Sequence, residues 1–157
     1  MKNLKIIALL LTLFLGLHAI GQKKGYDLNW QSNLEQAKTL AKTSNKLILI
    51  YFTSSDASTS ASKSLNQDLF YTEKFKKLSD ENLVLLRVNI PRRTNLISEL
   101  QKSSNQELVA RYGQKVIPTV VLCNAEGQKI GMIESYNYLH DTSKHYALIN
   151  DALKKRP

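Results

Sequence analysis

Residues 46–53 read KLILIYFT, and the apolar run from Leu47 to Phe52 has no polar interruption. Such a run is typical of a central strand covered on both faces, because a strand with one face in water alternates apolar and polar residues. Residues 83–90, LVLLRVNI, form a second buried-type run that stops at Pro91, because proline cannot donate to a sheet ladder. The two strands and the helical crossover between them predict a right-handed βαβ unit.

Apolar residues at helical spacing surround these strands. The S-x-x-E pattern of Ser32 and Glu35 has the form of a capping box and predicts the start of the first helix. Asn105 is predicted to cap a helix after an interruption at residues 103–104, and Gly113 to end it. The predicted helices cover residues 32–43, residues 61–78 with a break near Thr72, residues 95–112, and a last stretch from Asp141 or Thr142 to about residue 155.

A third strand and a hairpin follow Pro118. Residues 120–123 are apolar, the turn Asn-Ala-Glu-Gly comes next, and residues 128–133 return as a fourth strand. The resulting order is αβαβαββα. It predicts an α/β domain with a central mixed sheet flanked by helices.

Length and composition limit the possible classes of protein. The chain has 157 residues, 43% of them hydrophobic, which suits one domain with a sizeable core. Its single cysteine, Cys123, cannot form an internal disulfide, a CxxC pair or a multi-thiolate metal site. The net charge of +9 favours an anionic surface or an acidic protein partner, or simply a solvated basic surface, and no nucleic-acid ligand is predicted.

The N-terminus has the pattern of a targeting segment. A basic start and an uncharged apolar stretch at residues 6–17 precede Ala19 and Gly21, the small residues that a signal peptidase reads. The apolar stretch is shorter than a bilayer span, and no later stretch is long enough to be one. We therefore predict a cleaved signal peptide at residues 1–21 and one exported domain at residues 22–157. That domain is periplasmic or secreted and has no membrane span after cleavage.

The element order, with a proline immediately before the third strand, resembles the thioredoxin fold. Three segments carry the resemblance, which covers most of the chain from about Trp30: residues 47–56 (LILIYFTSSD), residues 82–93 (NLVLLRVNIPRR) and residues 111–122 (RYGQKVIPTVVL). They are similar to an exported bacterial thioredoxin-like family in which a Trp-Cys-x-x-Cys motif opens the second helix.

This chain has no cysteine at either position of that motif. Counting back along the predicted helix places the two positions at Thr59 and Ser62, whereas counting forward from the preceding strand places them at Ser58 and Ala61. We prefer Thr59 and Ser62, because a loop accepts an inserted residue more easily than a packed helix. Thiol–disulfide exchange needs an attacking thiolate and a resolving thiol. The sequence therefore predicts a redox-inactive protein without a catalytic residue or a cofactor.

The resemblance also implies a binding site. In thioredoxin-like proteins the matching proline is cis and faces the active-site loop, and the backbone beside it pairs with an extended peptide. Ile117, Pro118 and Thr119 match that element. The resemblance therefore implies binding of a peptide or protein partner at a cis-proline groove, and a purely structural role of Pro118 in the turn is the alternative.

Other residues with reactive side chains are assigned structural roles. Cys123 lies in a predicted central strand and is expected to be a buried hydrophobe. The alternative function is a thiol–disulfide oxidoreductase-related protein that acts through Cys123 or through a partner's thiols. His140 and His145 lack the i, i+4 spacing that places two imidazoles on one helix face, so no metal site is predicted and capping or surface roles are expected.

Overall fold

The computed structural model describes residues 27–56, 59–137 and 139–155. The predicted signal peptide, residues 1–21, lies outside them. The elements in chain order are strand β1 (Trp30–Gln31), helix α1 (Leu34–Ser44), strand β2 (Leu47–Thr53), helix α2 (Ser60–Leu65), helix α3 (Glu73–Asn82), strand β3 (Leu83–Asn89), helix α4 (Glu99–Tyr112), strands β4 (Thr119–Cys123) and β5 (Lys129–Glu134), and helix α5 (Ser143–Lys154). A π-helical turn (Asn66–Phe70) extends α2, and a 3-10 turn (Thr94–Leu96) precedes α4.

The five strands form one mixed sheet in the order β1-β3-β2-β4-β5. β3 lies parallel to both β1 and β2, whereas β4 lies antiparallel to β2 and β5. β2 and β3 can be parallel neighbours because α2 and α3 return the chain to the same end of the sheet. The predicted α/β architecture with a central mixed sheet is confirmed.

Each face of the sheet packs against its own set of helices. On one face the side chains of α2, α3 and α5 cover alternate residues of β2, such as Leu49 and Tyr51. On the other face α1 and α4 cover the intervening residues Ile48, Ile50 and Phe52. Burial on both faces explains the uninterrupted apolar sequence of β2, in which six of the seven residues are buried.

Two predicted helix starts are wrong. Asn33, not Ser32, caps α1, because the Asn33 side-chain oxygen accepts the backbone N–H of Gln36 at 3.0 Å. Ser98 caps α4, which continues through Asn105 without the predicted interruption. The Asn105 side chain does not cap a helix, because it is buried and hydrogen-bonds a strand carbonyl.

Other boundaries agree with the sequence. Thr72 caps α3 by accepting the backbone N–H of Phe75 at 3.2 Å, at the predicted break in the second helical segment. Gly113 ends α4 with φ of 68°, a left-handed conformation that favours glycine. The segment predicted to be an extended lead-in contributes β1, which pairs Trp30 with Leu85 at the sheet edge. Within the described part of the chain, no helix is long and apolar enough to cross a membrane.

Candidate functional site

The carboxyl ends of β2 and β3 lie next to the start of β4, at the same end of the sheet. Thr53 pairs with Asn89 where the two parallel strands end. Phe52 pairs with Thr119, the first residue of β4. The loop after β2, the loop after β3 and the segment before β4 therefore leave the sheet side by side. Ligands of open α/β sheets bind outside the carboxyl ends of parallel strands. This end of the sheet is therefore the candidate site.

Thr59 and Ser62, the preferred positions of the missing cysteines, lie one turn apart at the start of α2. Thr59 caps the helix: its Oγ1 accepts the backbone N–H of Ser62 at 3.1 Å and lies 3.1 Å from the Ser62 Oγ. Thr59 is exposed, whereas Ser62 is buried. Of the other register, Ala61 is half-buried in the helix and Ser58 lies outside the described residues. A buried Ser62 offers a partner no hydroxyl, so only Thr59 of this pair can be contacted.

The segment before β4 is held by hydrogen bonds on both sides of Pro118. The Ile117–Pro118 peptide bond is cis, and the carbonyl of Pro118 accepts the backbone N–H of Ser135 at 2.8 Å. Thr119 is fully buried, and its hydroxyl donates to the carbonyl of Val116 at 2.6 Å. The carbonyls of Val116 and Pro118 and the hydroxyl of Thr119 are therefore already engaged within the protein.

Within the described part of the chain, Ile117 itself lacks such bonds at both of its backbone polar groups. Among residues 27–56, 59–137 and 139–155, no group hydrogen-bonds its N–H or its carbonyl. Backbone polar groups in a folded protein are nearly always paired with protein or with water. Ile117 is half-buried and Val116 beside it is 42% exposed, so both can be reached from solvent. Ile117 rather than Thr119 thus offers the backbone groups that an added strand would use.

Asp56 ties the loop after β2 to the loop after β3. Its Oδ1 accepts the backbone N–H of Arg92 at 2.8 Å and the Ser54 hydroxyl at 3.1 Å. Its Oδ2 accepts the backbone N–H of Arg93 at 2.8 Å and lies 3.5 Å from the Arg93 Nε. These bonds, led by the one from the Arg93 N–H, lower the pKa of Asp56 to about 2. This role of Asp56 was not predicted, because its local sequence signal is no more than a carboxylate in the loop directly after a strand.

Cys123 is the last residue of β4 and is fully buried, as the sequence predicts. Burial raises the pKa of its thiol to about 11, and hydrogen bonding with Tyr112 only partly offsets that effect. Cys123 pairs with Ile48 in the register of the sheet, whereas Thr119 at the candidate site begins the same strand. The thiol is therefore protonated at neutral pH and is four residues along β4 from the site.

The two histidines lie in different surroundings. His140 is exposed, and its Nδ1 lies 2.6 Å from Oδ2 of Asp68, an oxygen that also accepts the Tyr136 hydroxyl at 3.0 Å. His145 is 3% exposed, so the predicted surface or capping role is wrong for it: α5 turns this residue towards the core. Within the described residues, no group of three or more metal-ligating side chains is present.

An α/β domain with this strand order and a cis proline before β4, in a chain with one cysteine, defines a thioredoxin-fold protein that lacks a dithiol. A family model described as thioredoxin-like matches residues 29–125, and the chain belongs to this family. The family resemblance predicted from the sequence is therefore confirmed.

Individual relatives agree with the family assignment. A disulfide bond reductase DsbH of Chlamydia pneumoniae is 33% identical over 104 residues, which cover 66% of this chain and 61% of that protein. The chain thus matches less than two thirds of the relative's length. A solved DsbH oxidoreductase has a TM-score of 0.68 at 24% identity, covering 89% of this chain and 94% of its own. A thioredoxin from Thermus thermophilus has a TM-score of 0.60 at 18% identity, covering 82% and 88%. These structures confirm the thioredoxin fold.

Proposed function

We propose that this protein is a redox-inactive thioredoxin-like protein that binds an extended segment of a partner at the cis-proline groove. The groove is defined here by Val116, Ile117 and Pro118 on one side and Thr59 on the other. The observation that carries the proposal is the backbone of Ile117, whose N–H and carbonyl have no partner among the described residues. An extended peptide supplies one acceptor and one donor at matching spacing, as in strand addition to other sheets.

Redox inactivity follows from the chemistry of disulfide reduction. A disulfide is reduced when a thiolate attacks one of its sulfurs, and a second thiol then resolves the mixed disulfide. The chain has one cysteine, Cys123. In either register the two motif positions are serine, threonine or alanine, and none of these side chains contains sulfur. A hydroxyl cannot form the mixed disulfide. The start of α2 can therefore contact a partner through van der Waals packing and hydrogen bonds, but it cannot react with a disulfide.

The proposed compartment is the periplasm or the extracellular space, from the pattern of residues 1–21. Cys123 is compatible with an oxidising compartment, because its thiol is fully buried and mostly protonated. N-terminal sequencing of the protein isolated from its host tests this part separately. A mature chain that begins at Gln22 is expected, and a chain that retains Met1 would contradict it.

Site-specific photo-crosslinking in the native host tests the groove. Val116 is the position for the photoreactive residue, because Thr119 is buried. Ile130 on the edge strand β5 is a matched control, since the two side chains are 42% and 46% exposed. A discrete adduct from position 116 and none from position 130 is expected. Equal adducts from both positions, or none from 116, would contradict binding at the groove.

Amide hydrogen exchange supplies a second test once the crosslinked segment is known. The N–H of Ile117 is expected to exchange rapidly in the free protein and to be protected when a synthetic copy of that segment binds. The N–H of Ser135, which already donates to Pro118, serves as the internal control and should change little. Binding without protection at Ile117 would show that the backbone pairing is wrong.

A second candidate function follows from the similarity to a disulfide bond reductase. In this alternative the protein takes part in thiol–disulfide exchange through Cys123 or through a partner's thiols. Reduction of insulin disulfides in the presence of dithiothreitol distinguishes the two. Wild type and Cys123→Ser are both expected to match the rate without protein, and a faster wild-type rate would favour the oxidoreductase.

A further inference from the structure

Two adjoining cavities lie between the end of β3 and the start of α4, beside β1. They measure about 80 Å³ and 330 Å³ and share Asn89, Ile97 and Asn105 as lining residues. We call the two together the α4 cavity. The residues of the cis-proline groove line neither part. The α4 cavity is therefore a separate feature of the surface, and the proposed groove does not account for it.

Amide side chains form the floor of the α4 cavity and hold one another in place. Asn105 is 4% exposed; its Nδ2 donates to the carbonyl of Asn89 at 2.6 Å, and its Oδ1 accepts Nε2 of Gln101 at 2.8 Å. Gln101 also donates to the carbonyl of Ser32 at 3.3 Å. These bonds join β3, α4 and the segment after β1. The walls are thus positioned before any ligand binds, which lowers the entropic cost of binding.

Apolar side chains are exposed in the chain segment that contributes Ile97 to this cavity. Ile97 is half-buried and lines both parts. Leu96 and Leu100, on either side of it in the sequence, are 41% and 84% exposed. A single exposed leucine is ordinary, but two in the short segment around a cavity-lining residue add apolar surface of the kind that interaction sites use.

The charge around the cavity is net positive. Arg87, Arg93 and Lys102 line the cavity, and residues 87–102 contain four cationic side chains against one carboxylate. The Asp56 carboxylate lies 3.5 Å from the Arg93 Nε and offsets one of these charges. The Arg87 guanidinium lies over the ring of Trp30, 4.6 Å from its centroid, an arrangement that leaves its N–H groups able to donate. Lys102 forms a 3.7 Å ion pair with Glu99, one turn earlier in α4, and such exposed pairs contribute little.

We propose that the α4 cavity docks an acidic segment of a partner protein. One apolar side chain of that segment enters the cavity over Ile97, and carboxylates on either side of it face Arg87, Arg93 and Lys102. The concave shape favours a side chain over an anionic bilayer, which binds a flat or convex apolar face. The proposal is independent of the cis-proline groove, because none of these contacts uses Ile117 or Pro118.

The test is an NMR titration of residues 22–157 with three acetylated, amidated pentapeptides. The first has a central leucine between two pairs of glutamates, the second replaces the glutamates by lysines, and the third replaces the leucine by glycine. Saturable shifts at the amides of Ile97 and Asn105 are expected for the first peptide, with Kd below about 5 mM. The other two should bind at least about tenfold more weakly. Equal binding of the glutamate and lysine peptides, or shifts confined to other surfaces, would overturn the proposal.

Charge variants locate the binding surface. Arg93→Gln combined with Lys102→Gln should weaken binding of the glutamate–leucine peptide about tenfold. The matched control removes the same two charges at the far end of α5, through Lys154→Gln and Lys155→Gln, and should leave the affinity unchanged. Equal weakening in both double variants would mean that only net charge matters, and it would overturn a specific site.

A leucine variant separates a peptide site from a membrane-binding surface. Leu100→Ser should weaken binding of the same peptide, and Leu139→Ser, a control at a residue that is 66% exposed, should not. Vesicles that contain about a third anionic lipid are expected to bind both variants like wild type. Vesicle binding that Leu100→Ser alone abolishes would assign this surface to the membrane and overturn the proposal.

Discussion

Replacing His145 with leucine is expected to remove a loss of stability that the buried imidazole causes as the pH falls below about 6.5. The ring is 3% exposed, and neither nitrogen has a hydrogen-bond partner among the described residues. Tyr136 packs against it with ring centroids 5.9 Å apart. Of the charged groups nearby, Asp141 raises the pKa of His145, while Glu134 and Lys144 line the small cavity beside it.

The magnitude follows from the pKa in the folded and unfolded states. Burial lowers the pKa of His145 from 6.5 to about 4, against the smaller opposing effect of Asp141. The unfolded chain therefore binds the proton first as the pH falls. The free energy of unfolding is therefore highest above pH 6.5, and it declines as the pH falls until the folded imidazole is also protonated near pH 4. At about 1.4 kcal/mol per pH unit, the free energy of unfolding should fall by about 3 kcal/mol over this interval.

The measurement is urea unfolding, followed by circular dichroism, of wild type and His145→Leu at about pH 7.5, 6.5, 5.5 and 4.5. Carboxylates such as Asp56 titrate in both proteins, so the difference in unfolding free energy between them isolates the imidazole. That difference should change by about 2.5 kcal/mol in favour of leucine between about pH 7.5 and pH 4.5. A difference that stays constant across the series would refute the reasoning, because it would mean that the folded imidazole accepts a proton as readily as the unfolded one.

Three further changes test other parts of the structure. Because the pKa of Asp56 is about 2, its bonds to the next loop should persist as the pH falls through the usual carboxyl range near 3.8 and be lost only near pH 2. The amide shifts of Arg92 and Arg93 should follow this step, and Asp56→Asn should lack it. The buried thiol of Cys123 should react with Ellman's reagent at least about a hundredfold more slowly than a free thiol, and stoichiometrically after unfolding; rapid labelling of native protein would contradict its burial. Gly113→Ala should lower the free energy of unfolding, measured in urea, by about 1 kcal/mol. Gly113→Asn should lower it less, because φ is 68° and asparagine tolerates this conformation better than alanine. Equal losses in the two variants would refute this explanation.

Local sequence was sufficient for most of the secondary structure. The apolar run of β2, the proline after β3 and the glycine after α4 each act within a few residues, so their structural consequences can be predicted without knowledge of distant contacts. The N-terminal caps of α1 and α4 were harder to predict from sequence. Several polar residues lie near each helix start, and the surrounding structure decides which of them accepts the backbone N–H groups. Asn105 illustrates this: its amide was predicted to cap a helix but hydrogen-bonds the Asn89 carbonyl at the end of β3.

By itself the sequence determined the thioredoxin-like class and the lack of a cysteine pair, since both depend on residue types in order along the chain. Only the tertiary structure decided which groups are available at the site. Thr119 is buried, whereas the backbone of Ile117 is left without a partner among the described residues. It also decided that Asp56 joins two loops and that His145 lies inside. Hydrogen-bond partners and burial depend on elements far apart in sequence, and packing brings them together only in the folded state.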